Sequence, residues 1–361
     1  MSKNLFVGVD GKARKTKEFY VGVNGKARRI VKAYIGDENG KARPFWEKES
    51  NIAENSLEFV SDNSFTMSAT NLWNGTLTYN NGNGWTTWSG GQINSSEING
   101  RQRIYFRGSR NTVIRGQNAT ETNSWKITGS NVECNGNIEY LLDYQKVAAG
   151  QHPEMGSRCY REMFTNCSSL ITSPELPATT LANGCYQSMF RNCSSLTTAP
   201  QLSATTLAEN CYQYMFGNCS SLTEAPSLPA TTLAVGCYRE MFYGCEKLII
   251  APALPATTLA KNCYYYMFYG CFRLRKIPAL PAHILPNSCY YGMFKECDIH
   301  LYSSGDETKN VIYLLPSEKN QWTNTQKESN SLTDMFTYDG LIQTPNFPAG
   351  YRLDNYYSII S

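Results

Sequence analysis

The sequence predicts a mainly β protein with short helical turns, in which small β-hairpins and an antiparallel β-sandwich precede a solenoid with a C-terminal cap. Three observations support this fold class. A short glycine-containing motif recurs near the N-terminus, the following region alternates apolar runs with Asn, Gly and Ser clusters, and a cysteine motif then recurs every 26 residues. Repetition at a fixed period of about 20–50 residues is typical of stacked architectures.

Residues 1–46 predict three β-hairpins. The motif lies at Val7–Arg14 and Val21–Arg28, and a longer copy lies at Ile35–Arg43. Each copy contains Asp-Gly or Asn-Gly, dipeptides that tolerate the positive φ of tight hairpin turns. Because hairpins of this size cannot bury a core alone, we expect the segment to need a partner or copies of itself. A mobile basic arm is the alternative.

The composition favours a binding protein. The chain of 361 residues has 24 Tyr and 13 Cys but only three His. Residues 1–46 carry eleven Lys and Arg against four Asp and Glu, yet no module of interleaved aromatic and basic residues accompanies them, so we expect no nucleic-acid partner. Without a secretory apolar segment or a run of about 18 apolar residues, we also expect cytoplasmic synthesis and no membrane contact.

Residues 47–150 predict a β-sandwich. Short alternating runs separated by Asn, Gly and Ser clusters have the spacing of antiparallel strands joined by turns. Trp73, Trp85 and Trp88 are candidates for a sugar-binding platform, although a sandwich core also needs a Trp or two. We expect Asn135–Asp143 to lead into the solenoid and to supply its covering strand.

Residues 151–297 predict a solenoid of leucine-rich-repeat type. The motif Cys-Tyr-x-x-Met-Phe begins at six positions without an insertion, a second Cys follows eight residues later, and a Leu and a Pro-x-Leu-Pro-Ala-Thr-Thr-Leu arm complete the unit. This period lies in the range of about 20–29 residues that leucine-rich repeats have. In the third unit Tyr212 should be at least partly buried, and a strand of three or four residues should begin at Leu222 and end near Pro226. We expect inward side chains at Cys211, Met215, Phe216, Cys219, Leu222, Leu228 and Leu233.

Residues 298–361 predict an inserted hairpin followed by a capping repeat. Asp334-Met-Phe336 and Pro345–Ala349 reproduce parts of the repeat without its cysteines. A terminal repeat otherwise exposes apolar surface and an unpaired strand edge, so solenoid ends need a cover. We therefore expect residues 331–361 to cover the last unit and residues 298–330 to form the insertion.

The paired cysteines predict packing in preference to metal binding. A Cys-x7-Cys spacing without a second pair or a nearby His lacks the ligand pattern of zinc sites, and we expect no metal and no cofactor. A disulfide within each unit is sterically possible. Buried thiols that act as small core side chains explain the same spacing in a reducing compartment, and this is the interpretation that we favour.

The aromatic residues that vary between units are the candidate binding residues. Rigid aromatic faces with a polar tip suit protein hot spots and sugar stacking, although some of these rings could instead cover grooves between units. No nucleophile signature or phosphate-binding loop is present, so we expect no enzymatic activity. The candidates in the repeats are Tyr214, Tyr243, Tyr265, Tyr266, Tyr269, Phe272 and Tyr291.

Two resemblances give these patterns a biological setting. The unit Cys-Tyr-x-x-Met-Phe-x-x-Cys-Ser-Ser-Leu-Thr-x-Ala-Pro resembles the BspA-like leucine-rich repeats of bacterial surface proteins, whose core is Ala-Phe-x-x-Cys-x-x-Leu. It differs in its Met-Phe pair and in a longer return arm. The Gly-Lys-Ala-Arg repeats followed by Pro44-Phe-Trp46 resemble N-terminal segments of virion proteins from phages of gut Firmicutes.

The resemblances imply a tail-fibre, receptor-binding or capsid-decoration protein on the virion surface, assembled in the host cytoplasm. The implied partners are other virion proteins, a host-surface or mucosal glycan or protein, and further copies of the chain, for example in a trimer. A BspA-like bacterial adhesin is the alternative, and an intracellular interaction scaffold is the second. The residues implied to anchor the chain are Lys12, Arg14, Lys26, Arg28, Lys41, Arg43 and Trp46.

Overall fold

The protein consists of two compact units, Met1–Glu54 and Asn55–Ser361. The computed structural model describes in full residues 53–70, 73–114, 125–274, 278–297 and 328–335, together with the backbone of the strands outside these ranges. Strands and turns dominate both units, which confirms the mainly β class. Among the described residues no helix is both long and apolar enough to cross a bilayer.

The first unit contains the three predicted hairpins, each as an antiparallel pair. Val9 pairs with Lys12 and Val23 with Lys26, so two residues separate the paired strands in each of these hairpins. In the third hairpin Gly36 pairs with Ala42. The strands are β1 (Phe6–Val9), β2 (Lys12–Lys15), β3 (Phe19–Val23), β4 (Lys26–Ile30), β5 (Lys32–Gly36) and β6 (Ala42–Glu47).

The second unit begins with two sheets. A seven-stranded sheet has the order β10-β9-β13-β7-β15-β16, with β12 also paired to β13, and a three-stranded sheet has the order β11-β8-β14. Their elements are β7 (Leu57–Ser61), β8 (Thr66–Thr70), β9 (Thr76–Asn80), β10 (Thr86–Trp88), β11 (Gly90–Asn94), β12 (Ser96–Ile98), β13 (Arg101–Ser109), β14 (Lys126–Thr128), β15 (Val132–Asn135), the helix α1 (Tyr140–Ala148) and β16 (Leu170–Thr172). Further along the chain, β17 (Arg352–Leu353) pairs with β18 (Ile359–Ile360).

One hydrophobic core runs from the two sheets into the repeats. Met67 of the small sheet and Phe59 of the large sheet are both fully buried and belong to a single cluster of buried side chains. Phe164 of the first repeat lies 6.0 Å from Phe59 and stacks at 5.6 Å on Phe190 of the second, measured between ring centroids. The sheets therefore cover the first repeat.

The covering strand differs from the prediction. It is β15, which pairs antiparallel with β7 and parallel with β16; the predicted segment Asn135–Asp143 contributes Asn135 to this strand and a parallel bridge from Asn137 to Glu175. The amide of Ile138 continues the pairing by donating to the carbonyl of Glu175 at 3.1 Å. The chain then enters α1, which is kinked at Asp143 and packs so closely on β13 that a Cβ at Gly108 would overlap the carbonyl of Leu141.

Each repeat is joined to the next by backbone hydrogen bonds. Between the two cysteines of a unit, alternate amides donate to the following unit, as Tyr212 does to Cys237 at 3.0 Å. The intervening amides close turns within the unit, as Met215 does onto Tyr212 at 3.2 Å. A residue with positive φ recurs at every fourth position, which prevents a continuous helix. The expected short helical turns are therefore successive tight turns.

Equivalent side chains form columns along the repeats. The six tyrosines that follow the first cysteines stack at 5.6–5.9 Å between ring centroids, and the phenylalanines stack at 5.5–5.7 Å. All the side chains predicted to point inward in the third unit, and Tyr212 with them, are at most 6% exposed. Their inward orientation is confirmed.

The strand predicted to begin at Leu222 is shorter than the three or four residues expected. In the described part of the repeats only the first unit has a strand of three residues, β16, and later units meet through single parallel bridges, such as that between Glu224 and Ile250. Pro226 lies two residues beyond Glu224, and proline cannot donate to a strand ladder. Side-chain columns and turn hydrogen bonds therefore connect the units more than strand pairing does.

The first residues of the predicted cap are hydrogen bonded to the sixth unit. Tyr290 donates its amide to Ser331 at 3.0 Å and Phe294 donates to Met335 at 2.9 Å, the same pattern that joins the other units. Leu332 and Met335 are buried, and Asp334 has the positive φ of its repeat equivalents. The inserted hairpin and most of the remaining cap lie outside the described residues.

Candidate functional site

The surface that varies between units lies on the turns between the two cysteines. The Cys, Tyr, Met and Phe side chains of the motif point into the core, and the positions two, three and six residues after the first Cys are at least partly exposed in most units. In the first two units these positions hold polar residues, and in the fifth they hold only tyrosine. The outward face therefore changes along the stack while the core remains constant.

Six of the seven aromatic candidates in the repeats form one network of ring contacts, which we call the tyrosine cluster. Tyr243 and Tyr269 stack at 4.7 Å between ring centroids, and Tyr265 and Tyr291 stack at 5.0 Å, each pair within 8° of parallel. Tyr266 contacts Tyr265, Tyr269 and Tyr291 edge to face. The members of the cluster are Tyr214, Tyr243, Tyr265, Tyr266, Tyr269 and Tyr291.

The stacking covers ring faces that were expected to be open. Tyr265 has the guanidinium of Arg239 4.7 Å from its ring centroid, and Tyr291 stacks on it from the following unit. Every ring of the cluster is only partly exposed. The cluster therefore presents ring edges and phenolic hydroxyls outward, which suits hydrogen bonding and edge contacts better than stacking on a flat ring face.

Tyr266 is held by an unusual backbone. Its φ is 49°, in the left-handed region that bulky residues rarely adopt. A Cβ at Gly292 in the next unit would overlap the ring of Tyr266. The ring therefore occupies the space that a side chain at this position would need. Gly292, which has a φ of 56°, therefore provides the space that the ring of Tyr266 fills.

The cluster is flanked by cations, most of which are neutralised locally. The guanidinium of Arg191 lies 4.8 Å from the ring centroid of Tyr214. Arg239 pairs with Glu240 at 3.2 Å and Lys295 pairs with Asp334 at 3.4 Å. Burial raises the pKa of Tyr214, Tyr243, Tyr265 and Tyr266 above the usual value for tyrosine. Their hydroxyls therefore remain protonated hydrogen-bond donors at neutral pH.

Phe272 lies outside the tyrosine cluster. Its side chain is 47% exposed, and it stands one position after the second cysteine, away from the outward turn positions. Arg191 and Arg239, which contact the cluster, were not among the predicted site residues. Aligning the units in columns would have found Arg239, because it stands 26 residues before Tyr265.

Trp73 and Trp88 do not form a sugar platform. Trp73 and Trp88 are 8% and 4% exposed and stack on each other at 5.1 Å, so they belong to the core between the two sheets. This burial corrects the candidacy of Trp73 and Trp88 as binding residues. Trp85 is partly exposed and has the guanidinium of Arg107 3.9 Å from its ring centroid.

The anchoring candidates lie on hairpin strands whose side chains are outside the described part of the chain. Lys12 and Arg14 are in β2, Lys26 and Arg28 are in β4, and Arg43 and Trp46 are in β6. Lys41 lies outside the described residues. In two hairpins the arginines have equivalent partners, since Arg14 pairs with Val7 and Arg28 with Val21.

All thirteen cysteines are free and buried. The second thiol of a unit donates to the phenylalanine carbonyl of the preceding unit, as Cys219 does to Phe190 at 3.1 Å and Cys245 to Phe216 at 3.1 Å. Burial raises the pKa of Cys245 to about 12, which keeps the thiol neutral. Among the described residues no group of three His, Cys, Asp or Glu side chains is placed to hold a metal ion.

No protein-family model, no curated protein and no solved structure matches this chain.

Proposed function

We propose that this protein is a non-enzymatic structural component of a phage virion and that its repeats bind a host-surface or mucosal glycan or protein. The tyrosine cluster is the observation that carries the binding role. Six tyrosines converge on one outward face of a rigid stack, although the repeat fold requires only the inward residues. Tyr and Arg are the residue types that dominate binding hot spots.

The architecture proposed for this display is a leucine-rich-repeat solenoid attached to a β-sandwich. Support for the solenoid comes from the backbone hydrogen bonds and ring stacking between residues 26 positions apart. Support for the sandwich comes from two sheets that share one core. A stack of this kind displays equivalent positions in columns, so a few substitutions in successive units create a broad binding surface.

The proposed attachment to the virion uses the N-terminal hairpins. Three hairpins with nearly the same sequence are too small to be stable alone, and this favours assembly with another protein or with copies of this chain, for example in a trimer. The resemblance to N-terminal segments of phage virion proteins supports the same role. A tail fibre, a receptor-binding protein and a capsid decoration all fit this arrangement.

Two measurements test the proposal. Mass spectrometry and immunogold microscopy of purified virions should find the chain at the particle surface, and its absence from particles would refute the virion role. The full chain should also label host cells. A variant with Tyr265→Ser, Tyr266→Ser and Tyr269→Ser should lose at least tenfold in apparent affinity, whereas Phe272→Ser should bind normally. Equal labelling by both variants would show that the tyrosine cluster is not the site.

A further inference from the structure

The outer face of β13 carries an arginine that is held in place but has no charged partner in the part of the chain that the structure describes. Alternate residues of β13 point away from the core, and Arg101, Arg103 and Arg107 are on this outer side. Arg101 pairs with Asp62 at 2.7 Å and with Glu133 at 2.9 Å, and Arg103 pairs with Glu58 at 2.9 Å. The guanidinium of Arg107 forms no ion pair or hydrogen bond with any residue in the described ranges.

Two aromatic rings fix the orientation of Arg107. Its Cζ lies 3.9 Å from the ring centroid of Trp85 and 4.4 Å from that of Tyr144 in α1. Rings at these distances hold a guanidinium by cation–π attraction, and its N–H donors have no hydrogen-bond acceptor among the described residues. The usual cost of ordering a flexible arginine on binding is therefore already met in the free protein.

We infer that Arg107, flanked by Trp85 and Tyr144, binds the carboxylate or sulfate group of an acidic saccharide. A planar guanidinium with a free edge matches an oxyanion through two parallel hydrogen bonds. This site is separate from the tyrosine cluster and stands independently of the virion role.

The surroundings of Arg107 favour a saccharide as the bearer of that anion. Thr78 pairs with Arg107 across the sheet, and Thr87 pairs with Thr78, so two hydroxyl side chains lie beside the arginine on the same face. Neutral hydroxyls suit the remaining polar groups of a sugar. Trp85 adds a partly exposed aromatic surface at the edge of the same patch.

The electrostatic setting agrees with this geometry. Burial lowers the pKa of Arg107, and no carboxylate contributes to the shift. Even so, an arginine remains charged at neutral pH. Part of the free energy lost when this cation is removed from water is therefore not recovered within the protein, and a bound anion would offset that loss.

The test uses the full chain and three sugars immobilised on the same linker: galactose 6-sulfate, glucuronic acid and galactose. The wild type should bind the two acidic sugars and not galactose. Arg107→Gln should weaken binding at least tenfold. The affinity of Arg107→Lys should lie between those of the wild type and Arg107→Gln, because lysine keeps the charge but cannot donate two parallel hydrogen bonds. Arg110→Gln, at an exposed arginine nearby, is the control and should bind like the wild type.

Several outcomes would overturn the inference. Equal binding of galactose and galactose 6-sulfate, no binding of either acidic sugar, or unchanged binding by Arg107→Gln would each do so. Displacement of the sulfated sugar by an equal concentration of inorganic sulfate would show that a bare anion is recognised and would exclude the saccharide. Thermal melts of each variant establish that the fold is intact, and Arg107→Lys, which retains the charge, decides the matter if Arg107→Gln is unstable.

Discussion

Replacing Phe216 with Ala tests the stacked core most directly. The Phe216 ring is fully buried and lies 5.7 Å from the rings of both Phe190 and Phe242. Truncating a buried Phe to Ala costs about 3–5 kcal/mol, and stacked aromatic pairs contribute about 0.5–1.5 kcal/mol each beyond the buried area. Because Phe216 forms two such pairs, we expect Phe216→Ala to lower the free energy of unfolding by about 5 kcal/mol, the upper end of the range for a buried Phe.

The assay is equilibrium urea unfolding followed by near-ultraviolet circular dichroism, which reports the packed tyrosines. Phe272→Ala is the matched control, because Phe272 is 47% exposed and surface substitutions change stability by about 0.5 kcal/mol or less. If Phe216→Ala costs less than about 1 kcal/mol, or no more than Phe272→Ala, the inward column does not carry the stability that its geometry implies.

Three further predictions concern pH, thiols and glycine. Burial raises the pKa of Cys245 from 9.0 to about 12. The contribution of its neutral thiol to the free energy of unfolding is therefore complete below about pH 9 and should fall by about 1.4 kcal/mol per pH unit up to about pH 12. Thermal melts at alkaline pH that show no loss of stability would contradict this. Iodoacetamide should leave the thirteen cysteines of the folded protein unmodified and should modify all of them after unfolding, with no reductant added. Intact-mass measurement would reveal any cysteine that reacts only after reduction. Gly292→Ala and Gly150→Ala both place Ala at positive φ, but only Gly292→Ala would overlap a ring, that of Tyr266. Gly292→Ala should therefore lower the free energy of urea unfolding by about 1–3 kcal/mol more than Gly150→Ala does. Equal losses would show that the ring does not need this space.

The local features of the fold were predictable where a repeated pattern isolates them. The Asp-Gly and Asn-Gly dipeptides predicted two hairpins whose strands pair as expected, and the 26-residue period predicted the inward residues of the third unit. In both cases the information lies within a short stretch of sequence or in a comparison between copies. Burial of Met215 and Phe216 follows from that comparison alone.

The helix α1 was not predictable in the same way. Ile138, Leu141 and Leu142 are all fully buried, and a short apolar run of this kind is compatible with a strand or a helix. The choice depends on β13, where the absence of a side chain at Gly108 lets the helix approach the sheet. That contact joins residues more than 30 positions apart, and no local pattern reports it.

The candidate sites were predictable only as residue types. The variable tyrosines are partly exposed, and the sequence does not show that Tyr265 is covered on its faces by Arg239 and Tyr291. Arg107 gave no signal, because its significance depends on two rings from separate elements and on the absence of an acidic neighbour among the described residues. Such properties arise from tertiary packing.

The columns also restrict how this part of the chain can change during evolution. Each unit presents the same hydrogen bonds and rings to the unit before it and to the unit after it. Unequal recombination between two copies would remove or add a whole unit and leave every junction matched. A deletion between the two cysteines of a unit would shift its Tyr and Phe out of their columns. Gene variants should therefore differ by complete units, and the outward face should lengthen or shorten while the inward columns of Tyr and Phe stay the same.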